Sequence, residues 1–305
     1  MKNFNKWFWL GISAAFLGAP NGTVIKFTVG HFDPLYFNVL RFSLVAVVAL
    51  PYLLTHKKLL NKTNIKYAIL AGCAFAVAVI AWVEAIKLSN ASYASLVTLI
   101  GPAFFIAYSV KFNKETISNK TAAGISLAAA GAFIMVFLPL AAKDGILAGQ
   151  FYPLATLMLL ANCGSYPLGT ISVKKSNDAG APMLSIIGIS AIVITSINLV
   201  VMIFSRPVDT QITGGVLLAV AFSGLVVGVA HRIAAIKSYE HIGAVASSAI
   251  GYFGSFLSIL IPVFVLNEKI SLAMVAGGFL ILAGIYVIEH HKSEHHKHFQ
   301  AFRHH

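Results

Sequence analysis

Charge is what this sequence has least of. Ten acidic and 22 basic residues make up only 10% of the 305 positions, while 58% are hydrophobic. A soluble domain carries about 25% charged residues. With a mean hydropathy of +0.83, a water-solvated globule is excluded, because it would have far more apolar surface than it could hide. The chain reads as a polytopic protein of the lipid bilayer. Cysteine is nearly absent too. Cys73 and Cys163 both fall inside apolar runs, which argues against a disulfide framework and points to core packing. There is no H-E-x-x-H, no G-x-S-x-G and no Walker A sequence, so no recognisable catalytic centre or ATP-driven motor is present. No stretch is long and polar enough to form a soluble domain. We expect a non-enzyme with no cofactor and no resident metal.

What is there is apolar length. A membrane-crossing helix needs about 20 apolar residues, and ten such segments can be placed, near 6–29, 33–54, 65–88, 91–111, 119–139, 146–173, 181–204, 212–236, 242–265 and 270–289. The runs do not alternate as barrel strands do, so the spans are expected to be helices whose backbone bonds are satisfied internally. Met1 to Ala19 has the basic start and apolar run of a secretion signal. Its Leu17-Gly18-Ala19 site is a poor cleavage match and the pattern runs on to Val29, so it is read as an uncleaved first span. The net charge of +12 invites a nucleic-acid reading. The lysines and arginines sit in short connectors instead, where they retain loops on the cytoplasmic side. No nucleic-acid partner is expected.

With the N-terminus cytoplasmic, fifteen Lys and Arg residues fall inside and five outside, namely Lys26, Lys87, Lys143, Arg206 and Lys269. Both termini are then cytoplasmic, and the location expected is the cell membrane, a bacterial inner membrane. The tail 291–305 is rich in His and Lys. We read it as solvated and near anionic lipid, with metal binding through imidazole as the alternative.

The chain repeats itself. Glu84-Ala85-Ile86-Lys87 returns as Ala234-Ala235-Ile236-Lys237. After one gap, Gly101, Glu115, Gly124 and Gly131 fall on Gly254, Glu268, Gly277 and Gly284 at an offset of 153. A fixed internal period governs the fold. The expected units are 1–140 and 145–290, five helices each, followed by the tail. An odd number of spans per unit turns the second copy upside down, the inverted repeat of secondary transporters. The paired glycines, seven apart in each copy, are read as close-packing positions.

Candidate functional residues are few. Gly18-Ala19-Pro20-Asn21-Gly22 interrupts the first span and Cys163-Gly164-Ser165-Tyr166-Pro167-Leu168-Gly169 the sixth. Breaks at corresponding places in two halves point to a binding site at the midplane. Arg41, Glu84, His231 and Arg232 are the ionisable groups within spans, where they are costly and face a cavity or one another. Arg41 and Glu84 lie about 12 Å and 6 Å from the outer ends of adjacent spans at 1.5 Å per residue, compatible with a buried ion pair or a coupling pair. His231 changes charge near neutral pH. Arg232, aligned with Trp82, suits a carboxylate or phosphate. Trp82 offers a stacking face, and Asn21, Asn162, Tyr166 and Tyr252 offer neutral hydrogen bonds. The alternative for each is helix packing.

On these residues the chain resembles the EamA-type transporters of the drug/metabolite transporter superfamily: ten spans in two halves, Arg41 early in span two, and a doubled block of small residues, a glycine, an acidic residue and paired glycines. The resemblance implies a ten-helix carrier with a central cavity lined mainly by spans one, three, four, six, eight and nine, and many such proteins export amino acids or related metabolites. Two departures stand out: Ile189 replaces the repeat of Arg41, and Gly101-Pro102 becomes Gly254-Ser255. The expected partner is a small-molecule substrate, with proton coupling through Glu84 or His231 as one option and a monomer or homodimer as the assembly. A sugar or nucleotide-sugar carrier is the runner-up; an intramembrane enzyme is the reading from another class.

Overall fold

A computed structural model describes residues 2–30, 32–113, 118–141, 152–205 and 210–268, with 272, 275–280, 282–284 and 286–287 of the last segment. The His-rich tail, Lys143, Arg206, Lys269 and Glu115 lie outside the described residues. Among those described, the regular structure is helical throughout. Eight helices are long and apolar enough to cross a membrane: Lys6–Val29, Pro34–Thr55, Lys62–Leu88, Ala91–Phe112, Pro153–Asp178, Met183–Phe204, Gly214–Gly243 and Ala246–Leu266. Shorter apolar helices, Ala122–Gly131 and Val275–Gly284, stand where the fifth and tenth spans are expected. The chain is an all-helical membrane protein of two five-helix halves around a central cavity.

Local chemistry sets most of the starts. Asp33 accepts from the Tyr36 backbone N–H at 2.9 Å, with Pro34 in the first turn, where its missing N–H costs nothing. Asn61 and Asn64 cap each other's backbone before the third span. Asn90 accepts from Tyr93 N–H at 2.7 Å before the fourth, and Thr213 accepts from Val216 before the eighth. Each satisfies one of the orphan donors of a helix start. At the far end of the eighth span, Gly243 adopts φ 77°. That left-handed conformation suits glycine and turns the chain into the ninth span.

Two boundaries differ from those read off hydropathy. The sixth span begins at Pro153 and runs to Asp178, and the eighth reaches Gly243. In both, the helix continues past the apolar run through Lys174-Lys175 and Lys237-Ser238-Tyr239-Glu240. Hydropathy marks where a chain leaves lipid, and a helix can protrude beyond that point.

The packing has an approximate two-fold relation. The second span packs on the seventh, the third on the sixth, the first on the eighth and ninth, and the fourth on the ninth. At the fifth and tenth spans a Cβ added to Gly284 would lie 2.5 Å from the Gly124 carbonyl oxygen and 2.8 Å from the Ala128 nitrogen. The backbones therefore touch across the halves, as expected of the repeated glycines. Two apolar clusters centre on the third span. One joins Phe37, Val83 and Ile86 to Leu159; the other joins Phe42, Phe75 and Val79 to Ile186 and Ile194.

Candidate functional site: the central cavity

Between the halves lies a cavity of about 410 Å³, within the range that suits small ligands. Spans one, two, three, four, six, eight and nine line it, the second span being an addition to the expected set. Asn21, Trp82, Asn162, Tyr166, His231, Arg232 and Arg41 all reach it.

The break in the first span is real. The helix Lys2–Gly18 ends in a turn at Ala19-Pro20 and restarts at Asn21. Asn21, at the restart, accepts a 2.8 Å hydrogen bond from Ser223 Oγ of the eighth span. The expected break in the sixth span does not occur: Pro153–Asp178 is one helix with Pro167 inside it. Proline removes one backbone donor without ending a helix that neighbours hold. The irregularity of the second half sits instead in the eighth span, where Phe222–His231 is π-helix. Such segments are rare and frequent at functional sites. This one immediately precedes Arg232.

His231 Nδ1 lies 2.7 Å from the Ala14 carbonyl. Its ring occupies the space a side chain at residue 18 would need: a Cβ on Gly18 would stand 2.8 Å from the imidazole. Asn162 Nδ2 donates to the Ala78 carbonyl at 2.8 Å, tying the sixth span to the third. Tyr166 meets Phe75 edge-on at 5.2 Å.

The two arginines differ from these. Arg41 is 4% exposed and Arg232 6%. Neither has an ion-pair or hydrogen-bond partner among the described residues; Arg41 Nε and Arg232 Nη1 are buried donors with no acceptor. Both lie against one aromatic ring: Arg41 Cζ is 4.7 Å and Arg232 Cζ 5.9 Å from the centre of Phe42, and Arg232 is also 4.3 Å from Phe75. An aromatic face attracts a guanidinium but accepts few of its five N–H donors. Among the described residues no Asp, Glu or Lys lines the cavity, so those residues give it two arginines and no counter-charge.

Two candidates are not brought to the site. Glu84 neither lines the cavity nor pairs with Arg41; its charged neighbours are Lys87 and Asp33. Two residues beyond Trp82 is about 200° round a helix, so similar depth put it on the opposite face. Tyr252 is 1% exposed and buried among Leu96, Leu99 and Ile259, on the face of the ninth span that packs against the fourth. Residues missed from sequence are Phe42, Phe75 and Ser223. Phe75, Val79 and Trp82 line the cavity at spacings of four and three, the periodicity of one helix face and a usable signal. Among the described residues no three His, Cys, Asp or Glu side chains gather to hold a metal ion.

The cavity lining reaches Tyr239 and Ser247, beside the turn at Gly243. At the other end of the bundle two charged side chains tie helix ends together. Glu268 accepts from the backbone N–H groups of Ala91 at 3.1 Å and Ser92 at 2.8 Å, a carboxylate on the positive end of the fourth span. Lys26 donates to the carbonyls of Ile86 and Ser89 at the end of the third.

The profile of the EamA-like transporter family matches residues 5–137 and again 153–289, nearly the whole chain in two copies. The chain belongs to the EamA-like transporter family. EamA proteins are part of the drug/metabolite transporter superfamily, so this is a multi-pass membrane transporter. Among solved structures, 28 chains match. One crystal structure of a protein agrees with TM-score 0.68 at 18% identity, covering 93% of this chain and 96% of that one, a likeness of fold. No curated relative matches the chain.

Proposed function

We propose that this EamA protein is a secondary carrier that moves a small metabolite bearing a carboxylate or other anionic group, an amino acid or related compound, by alternating access of two inverted halves. The observation that carries this is the pair of buried, unpartnered arginines facing a cavity of about 410 Å³. A cation taken out of water without a partner is costly, and a bound anion supplies the missing partner. Export is the direction favoured by the family resemblance, with both termini cytoplasmic and a bacterial inner membrane as the site. The end tied by Glu268 and Lys26 is then the outer one, and the cavity extends toward the cytoplasm.

If transport is linked to protons, the linkage runs through His231, which lines the cavity, and not through Glu84, which does not. A neutral sugar leaves both arginines unpaired. The test is counterflow in liposomes with labelled amino acids against labelled sugars, with and without a pH gradient. The expected result is exchange of amino acids only, with any dependence on the gradient abolished by His231→Gln and kept by Glu84→Gln. Exchange of sugars alone overturns the substrate class; a gradient effect lost only in Glu84→Gln overturns the role of His231.

A further inference from the structure

We infer that Arg41 and Arg232 act as one subsite for a doubly charged anionic group, a phosphoryl group or two carboxylates on one molecule. The inference rests on the carrier reading above and narrows its substrate. Arg41 comes from the second span and Arg232 from the eighth, one from each half, yet both guanidiniums stack against Phe42 at 4.7 and 5.9 Å. Phe42 sits beside Arg41 in sequence, and its ring keeps the two side chains in one region of the cavity. Both are more than nine-tenths buried, and each has a donor with no acceptor.

Charge balance sets the selectivity. A single carboxylate neutralises one guanidinium and leaves the other buried, uncompensated and next to a like charge. A dianion neutralises both, and its several oxygens match the forked donors of two guanidiniums. The α-ammonium of an ordinary amino acid meets no carboxylate among the described residues that line the cavity. Simple zwitterions are therefore disfavoured, and acidic amino acids, dicarboxylates and phosphate esters are preferred. Asn21 and Asn162 stand in the same cavity to contact the uncharged part.

The test is thermal stability of the purified full-length protein with inorganic phosphate, succinate, alanine or glucose at matched ionic strength, since a ligand that binds the folded state raises Tm. The expected result is a Tm rise of about 3 °C or more with 10 mM phosphate or succinate, and less than half of that with alanine or glucose. The phosphate and succinate arms separate the two sources of paired charge. Arg41→Gln and Arg232→Gln are each expected to abolish the dianion shift. Tyr252→Phe, outside the cavity, keeps it. A dianion shift that survives in the double glutamine variant overturns the inference, as does stabilisation by alanine equal to that by succinate. Absence of any dianion shift, with liposomes still exchanging alanine, sinks this subsite and leaves the carrier reading standing; loss of both sinks both.

Discussion

Arg232→Met is expected to make the ligand-free protein more stable while transport falls about 30-fold or more, and Arg41→Met to do the same. The stability gain follows from desolvation. Replacing buried charge by an apolar side chain of similar volume is often neutral or stabilising by about 1–4 kcal/mol. Among the described residues neither arginine has a counter-ion to lose. Phe42 and Phe75 return only about 0.5–2 kcal/mol each through their faces, and methionine packs well against both rings. Transport falls because the anion then enters an apolar cavity with at most one cation in it. Losing a charge-assisted contact to a buried ligand costs about 2–5 kcal/mol, and the lower bound of about 2 kcal/mol corresponds to about 30-fold. Detergent-solubilised protein gives the first number and reconstituted liposomes the second. A fall in Tm for both variants, in the absence of ligand, indicates that the arginines hold the fold together.

Glu268→Ala is expected to loosen the end of the bundle where the fourth and ninth spans meet. The carboxylate takes two backbone N–H donors of the fourth span from a position just after the ninth. This is a tie between the halves that must break if the cavity is to face the other way. Hydrogen bonds to a charged group contribute about 1.5–3 kcal/mol each, and water replaces them when the end opens, so the net shift is about 1.5–3 kcal/mol. That moves a two-state equilibrium roughly 10- to 100-fold toward the open form. Distances between spin labels on the ends of the second and seventh spans report the two populations. An unchanged distribution means the contact caps a helix and does nothing more. Asn90 retains its own cap on Tyr93, so the fourth span itself is expected to stay helical.

Much of this was legible in the sequence, for a physical reason. Hydropathy and the offset of 153 report how deep a residue lies and which half it belongs to. The ten apolar segments, the paired glycines now found at Gly284 against Gly124, and the depth of Arg41, His231 and Arg232 all came from that. Depth does not report azimuth. A membrane helix is apolar toward lipid and apolar toward its neighbours, so its sequence shows little of which face is inward. Glu84 and Arg41 therefore looked like a pair, yet Glu84 lies about 200° round its helix from the cavity-lining Trp82, and Tyr252 looked as accessible as Tyr166. The π-helix at Phe222–His231 leaves no mark on hydropathy at all. Pro167 marked a break that the surrounding helices suppress, because neighbouring backbone and side chains absorb one missing donor.

The role of Glu268 was also hidden. Its alignment with Glu115 showed that an acidic residue recurs, but the helix start it caps lies 176 residues earlier in the chain. Phe42 and Phe75 were unremarkable among 22 phenylalanines until the guanidiniums were seen against them.

The most direct test of the account is the sidedness of one cavity residue. Ser255 lines the cavity, and Ser255→Cys can be placed in a background carrying Cys73→Ser and Cys163→Ser. Right-side-out and inside-out vesicles are then treated with a membrane-impermeant maleimide. The account predicts labelling from both faces, protection from both by a transported anion, and a shift toward the outer face in Glu268→Ala. Labelling from one face only, whatever the ligand or the Glu268 substitution, would contradict alternating access to this cavity.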